Sequence, residues 1–301
     1  GTYPNRVIRI IVPAGPGGPT DVFARLVAQR MSATLGKDVI IENRAGAGGA
    51  IAAKMVSTAP ADGYTLFLAD TSTNAIIPAF AKIPDYDPEK QFAAIAIMAS
   101  SFHTMVVRSD SPVKSVKEFI ELARTSPKKL DFGSAGHGNL THLAGELFKL
   151  RTGIDMIHVP YKSAAEAATG ILGGQVYCGF GNLNVMLPHI RAGRVRALGV
   201  SGAQRSAQLP EVPTIAESGL TGYAFEPFYA IVVPPRTPRE IMGAIADAMA
   251  KAMTTPDFRE QFVKIVGSEV VVNTPEQMLQ VAKKEAELIE KIARTANIKE
   301  E

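Results

Sequence analysis

The residues best placed for chemistry lie in two glycine-rich loops, each between a short apolar run and a helical pattern. PAGPGGPTD at residues 13–21 follows VIRIIV, and GSAGHGNLTH at residues 133–142 follows LDF. The first N–H groups of a helix lack partners and the helix dipole is positive there, so such a junction attracts anions. Two junctions of this kind in one chain predict a small anion, such as a carboxylate, gripped from two sides.

The first loop also allows other interpretations. GPGGPT nearly matches the dinucleotide fingerprint G-x-G-x-x-G, with Thr20 in place of the last glycine, and Glu42 ends the next predicted strand. Nucleotide binding is therefore an alternative, although Pro16 and Pro19 stiffen a loop that would have to wrap a pyrophosphate. A tight turn without a ligand is another alternative. Thr20 and Asp21 also fit helix capping as well as ligand contact.

The second loop offers hydroxyl and amide partners at Ser134 and Asn139, and we expect free N–H groups at residues 136–140. His137 and His142 are five residues apart, a poor spacing for two metal ligands on a helix, and no nearby Cys, Asp or Glu completes a set. The sequence therefore predicts no metal site. His142 is expected either to donate a hydrogen bond to the ligand or to pack in the interior.

Two further segments follow predicted strands: ADTSTNAIIP at residues 69–78, interpreted as a loop, and FGNLN at residues 180–184. Ligands of open α/β sheets collect at the carboxyl ends of strands. The side chains expected to reach a ligand from these segments are Ser72, Thr73, Asn74 and Asn182.

Enzymatic motifs are missing from the sequence. It has no G-x-S-x-G elbow, no Walker motif, no H-E-x-x-H and no Cys/His pair. Ser134 and His142 could act as nucleophile and base, but no third group is evident, so an enzyme remains only the alternative class. No catalytic residue and no cofactor are predicted.

The composition excludes several other classes of protein. Charged residues make up 20% of the 301 residues and the net charge is only +3, without any basic run, so we expect no nucleic acid partner. No apolar run approaches the roughly 18 residues that span a bilayer. The single cysteine, Cys178, lies in an apolar run and is interpreted as a small buried hydrophobe.

Short β-branched runs alternate with helical patterns, which favours parallel sheets with crossover helices. The strand–loop–helix unit recurs in both halves, so the sequence predicts two similar lobes joined by extended segments at residues 99–107 and 223–233. Residues 1–100 and 225–301 would form the first lobe, and residues 101–224 the second. Helix ends are marked by glycines and caps, at Gly36, Gly153, Ser115 and Thr274.

Motifs along nearly the whole chain resemble one known family. They include GG-x-TD at residues 17–21, ENR-x-GAGG at residues 42–49 and ALGVSGAQRS-x-x-LPEVPT at residues 197–214. In this combination they resemble the substrate-binding proteins of tripartite tricarboxylate transporters, the Bug family. The resemblance implies a type II-like periplasmic binding protein: α/β, with two doubly wound lobes and a ligand cleft between them.

The resemblance also implies a function and a site. We expect a periplasmic receptor, its signal peptide removed, that closes on a carboxylate and delivers it to the membrane subunits of the transporter. A C4–C6 dicarboxylate is the expected ligand and a monomer the expected state. The expected ligand-binding residues are Ala14, Pro16, Gly17, Gly18, Thr20, Asp21, Ser72, Thr73, Asn74, Ser134, Ala135, Gly138, Asn139, His142, Tyr161 and Asn182.

The chain departs from the family pattern at three positions. Ser163 and Glu166 stand where PYKG-x-x-PA has glycine and proline, and Gly181 replaces the aspartate of FDN. These changes fall in the second lobe, toward the distal end of the ligand, and bear on which carboxylate is bound.

Overall fold

The computed structural model describes residues 2–81 and 83–298, which divide into two α/β units. The first contains the described residues up to Ser100 together with Phe228–Glu290, and the second contains Ser101–Pro227 and the described residues from Lys291. The chain thus returns to the first unit at residue 228 rather than 225. Its last helical turn belongs to the second unit and not, as predicted, to the first, because Ile292, Thr295 and Ala296 line a surface pocket with Glu146 and Lys149.

The first unit is built on a six-stranded mixed sheet. Its strands are β1 Ile8–Val12, β2 Val39–Asn43, β3 Thr65–Asp70, β4 Ala93–Ser100, β10 Phe228–Val233 and β11 Glu269–Val270, in the order β11-β4-β10-β3-β1-β2. Strands β1, β2 and β3 run parallel, and β10 is antiparallel to both β3 and β4. β4 pairs only with β10 and β11 among the described strands. Strand β1 is buried on both faces, as expected for a parallel strand covered by helices.

Helices cover both faces of this sheet. They are α1 Pro19–Leu35, α2 Ala50–Ser57, α3 Pro88–Gln91, α8 Arg239–Met253, α9 Pro256–Val266 and the first turns of α10 Pro275–Thr295. A π-helical segment, Ser72–Ala81, follows β3 where the sequence predicted a loop. On one face Phe23 of α1 packs edge-on against Phe262 of α9, with ring centroids 5.1 Å apart.

The second unit carries a five-stranded mixed sheet. Its strands are β5 His103–Arg108, β6 Leu130–Ser134, β7 Met156–Pro160, β8 Cys178–Asn182 and β9 Val195–Val200, in the order β7-β6-β8-β5-β9. Its helices are α4 Val116–Thr125, α5 Leu140–Thr152, α6 Ala164–Leu172 and α7 Leu183–Arg191. α5 packs so closely on β6 that a Cβ at Gly145 would overlap the Phe132 ring.

The two sheets share one strand order. In each sheet, two parallel β-α-β units place the first of their three strands between the second and the third. An antiparallel strand lies next to the third strand and separates it from the fourth. The antiparallel strand is β10 in the first unit and β5 in the second, the strands with which the chain enters each unit after leaving the other. The predicted similarity of the two halves is thus a shared topology.

Helix ends follow the local signals of the sequence. Gly36 and Gly153 adopt left-handed conformations just after α1 and α5, and Ser115 accepts a hydrogen bond from the Glu118 N–H at the start of α4. The Thr274 side chain accepts a hydrogen bond from the Gln277 N–H at the start of α10. Within the described residues, no helix combines the length and the apolar character needed to cross a bilayer.

Candidate site at the helix N-termini

The N-terminus of α1 is open. Strand β1 ends at Val12, and the loop leads to Gly18, which is extended (φ −79°, ψ 171°) and supplies no side chain to cap the helix. Pro19, the first helical residue, has no N–H group. The N–H groups of Thr20 and Asp21 therefore sit in the first turn without a capping side chain, at the positive end of a 17-residue helix.

Asp21 organises the loop in front of this helix end. Its buried carboxylate accepts the Gly17 N–H and the Arg25 Nε, each at 2.9 Å, and the Asn43 Nδ2 at 2.9 Å. The same Asn43 amide donates to the Ala14 carbonyl at 2.9 Å. Burial opposes ionisation of Asp21, but these bonds outweigh it, with Arg25 foremost, and lower the pKa of the carboxyl to about 2.

The predicted residues of the first loop thus divide into two groups. The Gly17 N–H is already engaged by Asp21, and φ at Gly17 is +86°, a conformation that favours glycine. Both Asp21 oxygens are engaged as well, Oδ2 by Gly17 and Arg25 and Oδ1 by Asn43 on β2. The backbone N–H groups of Gly18, Thr20 and Asp21 have no acceptor among the described residues, and Pro16 is exposed.

Thr20 is linked to the sheet through Tyr229 on β10. The Thr20 side chain lies near the Tyr229 hydroxyl and lowers its pKa, but burial outweighs this effect and raises the pKa of that hydroxyl. Tyr229 lies opposite Asp70 in the β3–β10 register. Thr20 and the end of β3 are therefore held together at one edge of the first sheet.

The segment after β3 is tied down by its own polar groups. Thr73 is buried, its N–H donates to Asp70 Oδ1 at 2.9 Å, and its hydroxyl lies 3.0 Å from the same oxygen. Burial raises the pKa of Asp70 in spite of these bonds. The Ser72 hydroxyl donates to the Gly48 carbonyl at 3.1 Å, and the Asn74 amide to the Ala282 carbonyl at 3.2 Å. Thr73 is thus part of the turn that starts the π-helical segment.

Asn74 lies at an apolar cavity of about 360 Å³ inside the first unit. The sheet contributes Phe67 and Phe228 to its lining, and α10 contributes Met278 and Ala282. This cavity lies beneath α10, so Asn74 is placed differently from Thr20, which lies at the start of α1.

The second loop satisfies most of its own donors. The Ala135 N–H donates to Thr141 Oγ1 at 2.8 Å, the Gly138 N–H to His142 Nδ1 at 3.0 Å, and the Asn139 N–H to the Gly136 carbonyl at 3.2 Å. The Asn139 side chain caps α5 by accepting the Thr141 N–H. The prediction of free N–H groups is wrong for Gly136, Gly138 and Asn139, because side chains and turns of the loop itself occupy them.

Three histidines meet beside this loop. One ring nitrogen from each of His137, His142 and His158 lies within 4.8 Å of the others. The rings of His142 and His158 are stacked, with centroids 3.6 Å apart and planes 4° from parallel. Burial, and then the neighbouring His142, lower the pKa of His158 to about 3. His142 is buried, which agrees with its interpretation as an interior residue, and its contact with a ligand stays a prediction.

Tyr161 and Asn182 lie at two further strand ends of the second sheet. The Tyr161 hydroxyl donates to Gln175 Oε1 at 3.4 Å. Asn182 Nδ2 lies 3.4 Å from Nε2 of His103, a buried residue on the neighbouring strand β5. Burial lowers the pKa of His103 to about 4, so this histidine is neutral at pH 7.

Several organising residues were missed in the sequence. Asn43 belongs to the ENR motif and Arg25 stands four residues after Asp21, the spacing of a helical ion pair, so both signals were present. Asp70 and His158 gave no local signal. Each becomes important only through a partner that the sheet brings near it.

Known proteins resemble this chain over most of its length. A sequence profile described as "Tripartite tricarboxylate transporter family receptor" matches residues 23–298. The chain belongs to this family. The protein BugT of Bordetella pertussis is 34% identical over 278 residues, which are 92% of this chain and 85% of BugT.

Solved structures of family relatives extend the comparison to the fold. The R. palustris protein Rpa4515, determined with adipate, is 33% identical, with a TM-score of 0.79 and 99% of both chains covered. MatC of Rhodopseudomonas palustris, determined with malate, is 28% identical, with a TM-score of 0.73 and coverage of 96% of this chain and 99% of MatC. The predicted α/β periplasmic-binding-protein fold is confirmed, and so is the prediction of a solute-binding receptor rather than an enzyme.

Proposed function

We propose that this tripartite tricarboxylate transporter family receptor captures a small dicarboxylate of about four to six carbons. The open N-terminus of α1 is the observation that carries the proposal. It presents the N–H groups of Thr20 and Asp21 without a capping side chain, and Asp21, Asn43 and Arg25 fix the loop that leads to it. Adipate and malate in the relatives' structures are dicarboxylates of this size.

Neutral donors suit such a ligand. A carboxylate oxygen accepting two helix-terminal N–H groups gains about 1.5–3 kcal/mol from each bond, without the desolvation of an ion pair. The negative charge of Asp21 would oppose an anion nearby, but Arg25 lies 2.9 Å from that carboxylate and compensates it. The loop is therefore anion-binding in spite of its aspartate.

The remaining predicted contacts are part of the proposal. Ser134, Ala135, Gly138 and Asn139 would contribute donors from the second loop once the ligand exchanges with their present partners. Tyr161 and Asn182 would meet the distal end of the ligand. The proposed setting is the periplasm, where the protein acts as a monomer and delivers its cargo to the membrane subunits of the transporter.

A substitution at Gly18 can test ligand binding without lowering the stability of the fold. Its backbone is extended, and a Cβ there would meet no atom within 4 Å, so Gly18→Asp fits without strain. The new carboxylate would cap the N–H groups of the first turn, which leaves stability unchanged or raises it by a few tenths of a kcal/mol. It would also place a negative charge where the ligand should bind.

Calorimetric titration with adipate and with malate gives the readout. We expect Gly18→Asp to weaken the binding of the accepted dicarboxylate at least 100-fold, the equivalent of about 3 kcal/mol. Gly18→Ala is the matched control, since it fits equally well and adds no acceptor, and it should bind within threefold of the wild type. Equal affinities for the two variants would contradict the anchor, and a wild-type protein that binds no dicarboxylate would contradict the proposed ligand class.

A further inference from the structure

His137, His142 and His158 form a cluster of which only His142 is among the expected carboxylate-binding residues. His137 is exposed in the loop before α5, His142 is buried in the first turn of α5, and His158 lies on β7. The sequence argued against a metal site because two histidines five residues apart lacked a third ligand. The β6–β7 pairing supplies it, since His158 lies opposite Phe132, two residues before the loop that begins at Ser134.

We propose that these three histidines bind a divalent transition-metal ion of the zinc type. Neutral imidazole nitrogens are preferred ligands of such ions, at about 2.0–2.1 Å, which places nitrogens of a tetrahedral site roughly 3.3 Å apart. The three nitrogens now lie within 4.8 Å of one another. Binding therefore requires them to approach by up to about 1.5 Å. It also requires one of the stacked rings, His142 or His158, to turn, because an imidazole binds a metal in its own plane and parallel rings cannot point at one ion.

The hydrogen bonds of the two inner histidines leave a lone pair on one nitrogen of each ring. His142 Nδ1 accepts the Gly138 N–H, so the ring proton is on Nε2, which lies 3.4 Å from Glu146 Oε1. Ser134 Oγ lies 3.1 Å from the Gly136 carbonyl and 2.6 Å from His158 Nε2. In the tautomer that suits a metal, the Ser134 hydroxyl donates to the carbonyl and accepts the proton of His158 Nε2. Nδ1 is then the nitrogen with the lone pair in both rings.

Glu146 and Ser134 thus act as the outer partners that metal-binding histidines usually have. A carboxylate or hydroxyl on the second ring nitrogen fixes the ring and the tautomer, and the loss of such a partner commonly weakens metal binding 10- to 100-fold. Metal binding would replace the Gly138 bond to His142 Nδ1. Three protein ligands leave one position of a tetrahedral ion for water or another small ligand.

The test uses tag-free protein, stripped with chelator and kept in carboxylate-free buffer so that no cargo is involved. Zn²⁺ is titrated calorimetrically, and Co²⁺ is titrated with detection of its visible absorption, which intensifies in a tetrahedral nitrogen site. We expect one ion per chain. Because His137 is exposed, His137→Ala should fold normally and should weaken the binding of both ions at least tenfold.

His189→Ala is the matched control, since His189 lies on α7 and outside the cluster. It should leave metal affinity unchanged, and Glu146→Gln should weaken it about tenfold. Absence of stoichiometric binding of Zn²⁺ and Co²⁺, or an unchanged affinity in His137→Ala, would overturn the proposal. Both results are independent of dicarboxylate binding, which the Gly18 variants measure.

Discussion

The replacement of Asp21 by asparagine tests how the loop at α1 is held. Asn keeps the shape and one acceptor oxygen but loses the charge that Arg25, Gly17 and Asn43 stabilise. The fall of the Asp21 pKa from its ordinary value of 3.8 to about 2 corresponds to roughly 2 kcal/mol of folding free energy. Only the charged form makes these interactions in full. We therefore expect Asp21→Asn to lower the free energy of unfolding by about 2 kcal/mol at pH 7.

The pH dependence identifies the charge as the cause. A carboxyl whose pKa is depressed by folding stabilises the native state above its unfolded pKa, and this contribution disappears as the pH falls through the folded pKa. The difference between wild type and Asp21→Asn should thus be constant from pH 7 to pH 5, fall to about half at pH 3, and vanish near pH 1. The assay is urea unfolding followed by circular dichroism at pH 7, 5 and 3.

A surface aspartate in the same unit supplies the control. Asp38 is exposed, so Asp38→Asn should change the unfolding free energy by less than about 0.5 kcal/mol at each pH. If the effect of Asp21→Asn were the same at pH 3 as at pH 7, the charge would not be what stabilises the loop. An effect as small as that of Asp38→Asn would show that the hydrogen bonds of Asp21 contribute nothing net.

Three further predictions follow from particular side chains. Gly145→Ala should destabilise the second unit by about 2 kcal/mol or more in urea unfolding, because the new Cβ would overlap Phe132. Gly243 lies in α8 with open space around it, so Gly243→Ala should instead stabilise the protein by about 0.5–1 kcal/mol. His103 is neutral in the fold and has a pKa of about 4, so acidification from pH 7 to pH 5 should lower the free energy of unfolding by about 2 kcal/mol. His103→Gln should remove that part of the pH dependence. If the free energy of unfolding of this variant still fell with pH as in the wild type, the prediction would be wrong. Asn43→Ala should weaken dicarboxylate binding about tenfold in calorimetry, since its amide ties β2 to the loop; wild-type affinity would show that the loop holds without it.

The sequence predicted the elements of the fold well where the signal is local. Apolar runs, capping residues and glycines mark β1, α4 and the end of α5, because each depends on residues within a few positions of one another. The segment after β3 was predicted wrongly as a loop. Its π-helical form depends on Thr73 and Asp70, and on the Tyr86 hydroxyl that bonds the Thr73 carbonyl from 13 residues away.

The candidate site divides in the same way. The open end of α1 could be predicted, since a glycine followed by proline leaves a helix without a capping side chain. The hydrogen bonds that occupy the N–H groups of the second loop could not be predicted. It depends on which side chain reaches which N–H, and Thr141 and His142 reach back to Ala135 and Gly138. His158 is separated from His137 along the chain and joins it only through the pairing of β6 with β7.

The position of β4 constrains the order in which a growing chain can fold. Its partners in the first sheet, β10 and β11, are both synthesised after the whole stretch Ser101–Pro227 of the second unit. The second sheet, by contrast, takes all its strands from that one continuous stretch. During synthesis on the ribosome, the second sheet can therefore close while β4 still has two unpaired edges. Residues 94–99 of β4 are apolar and become buried in the fold, and an unpaired apolar strand is prone to aggregation. The emergence of β10 is then the step that ends this vulnerable period, and a chain interrupted before residue 228 would expose β4 indefinitely.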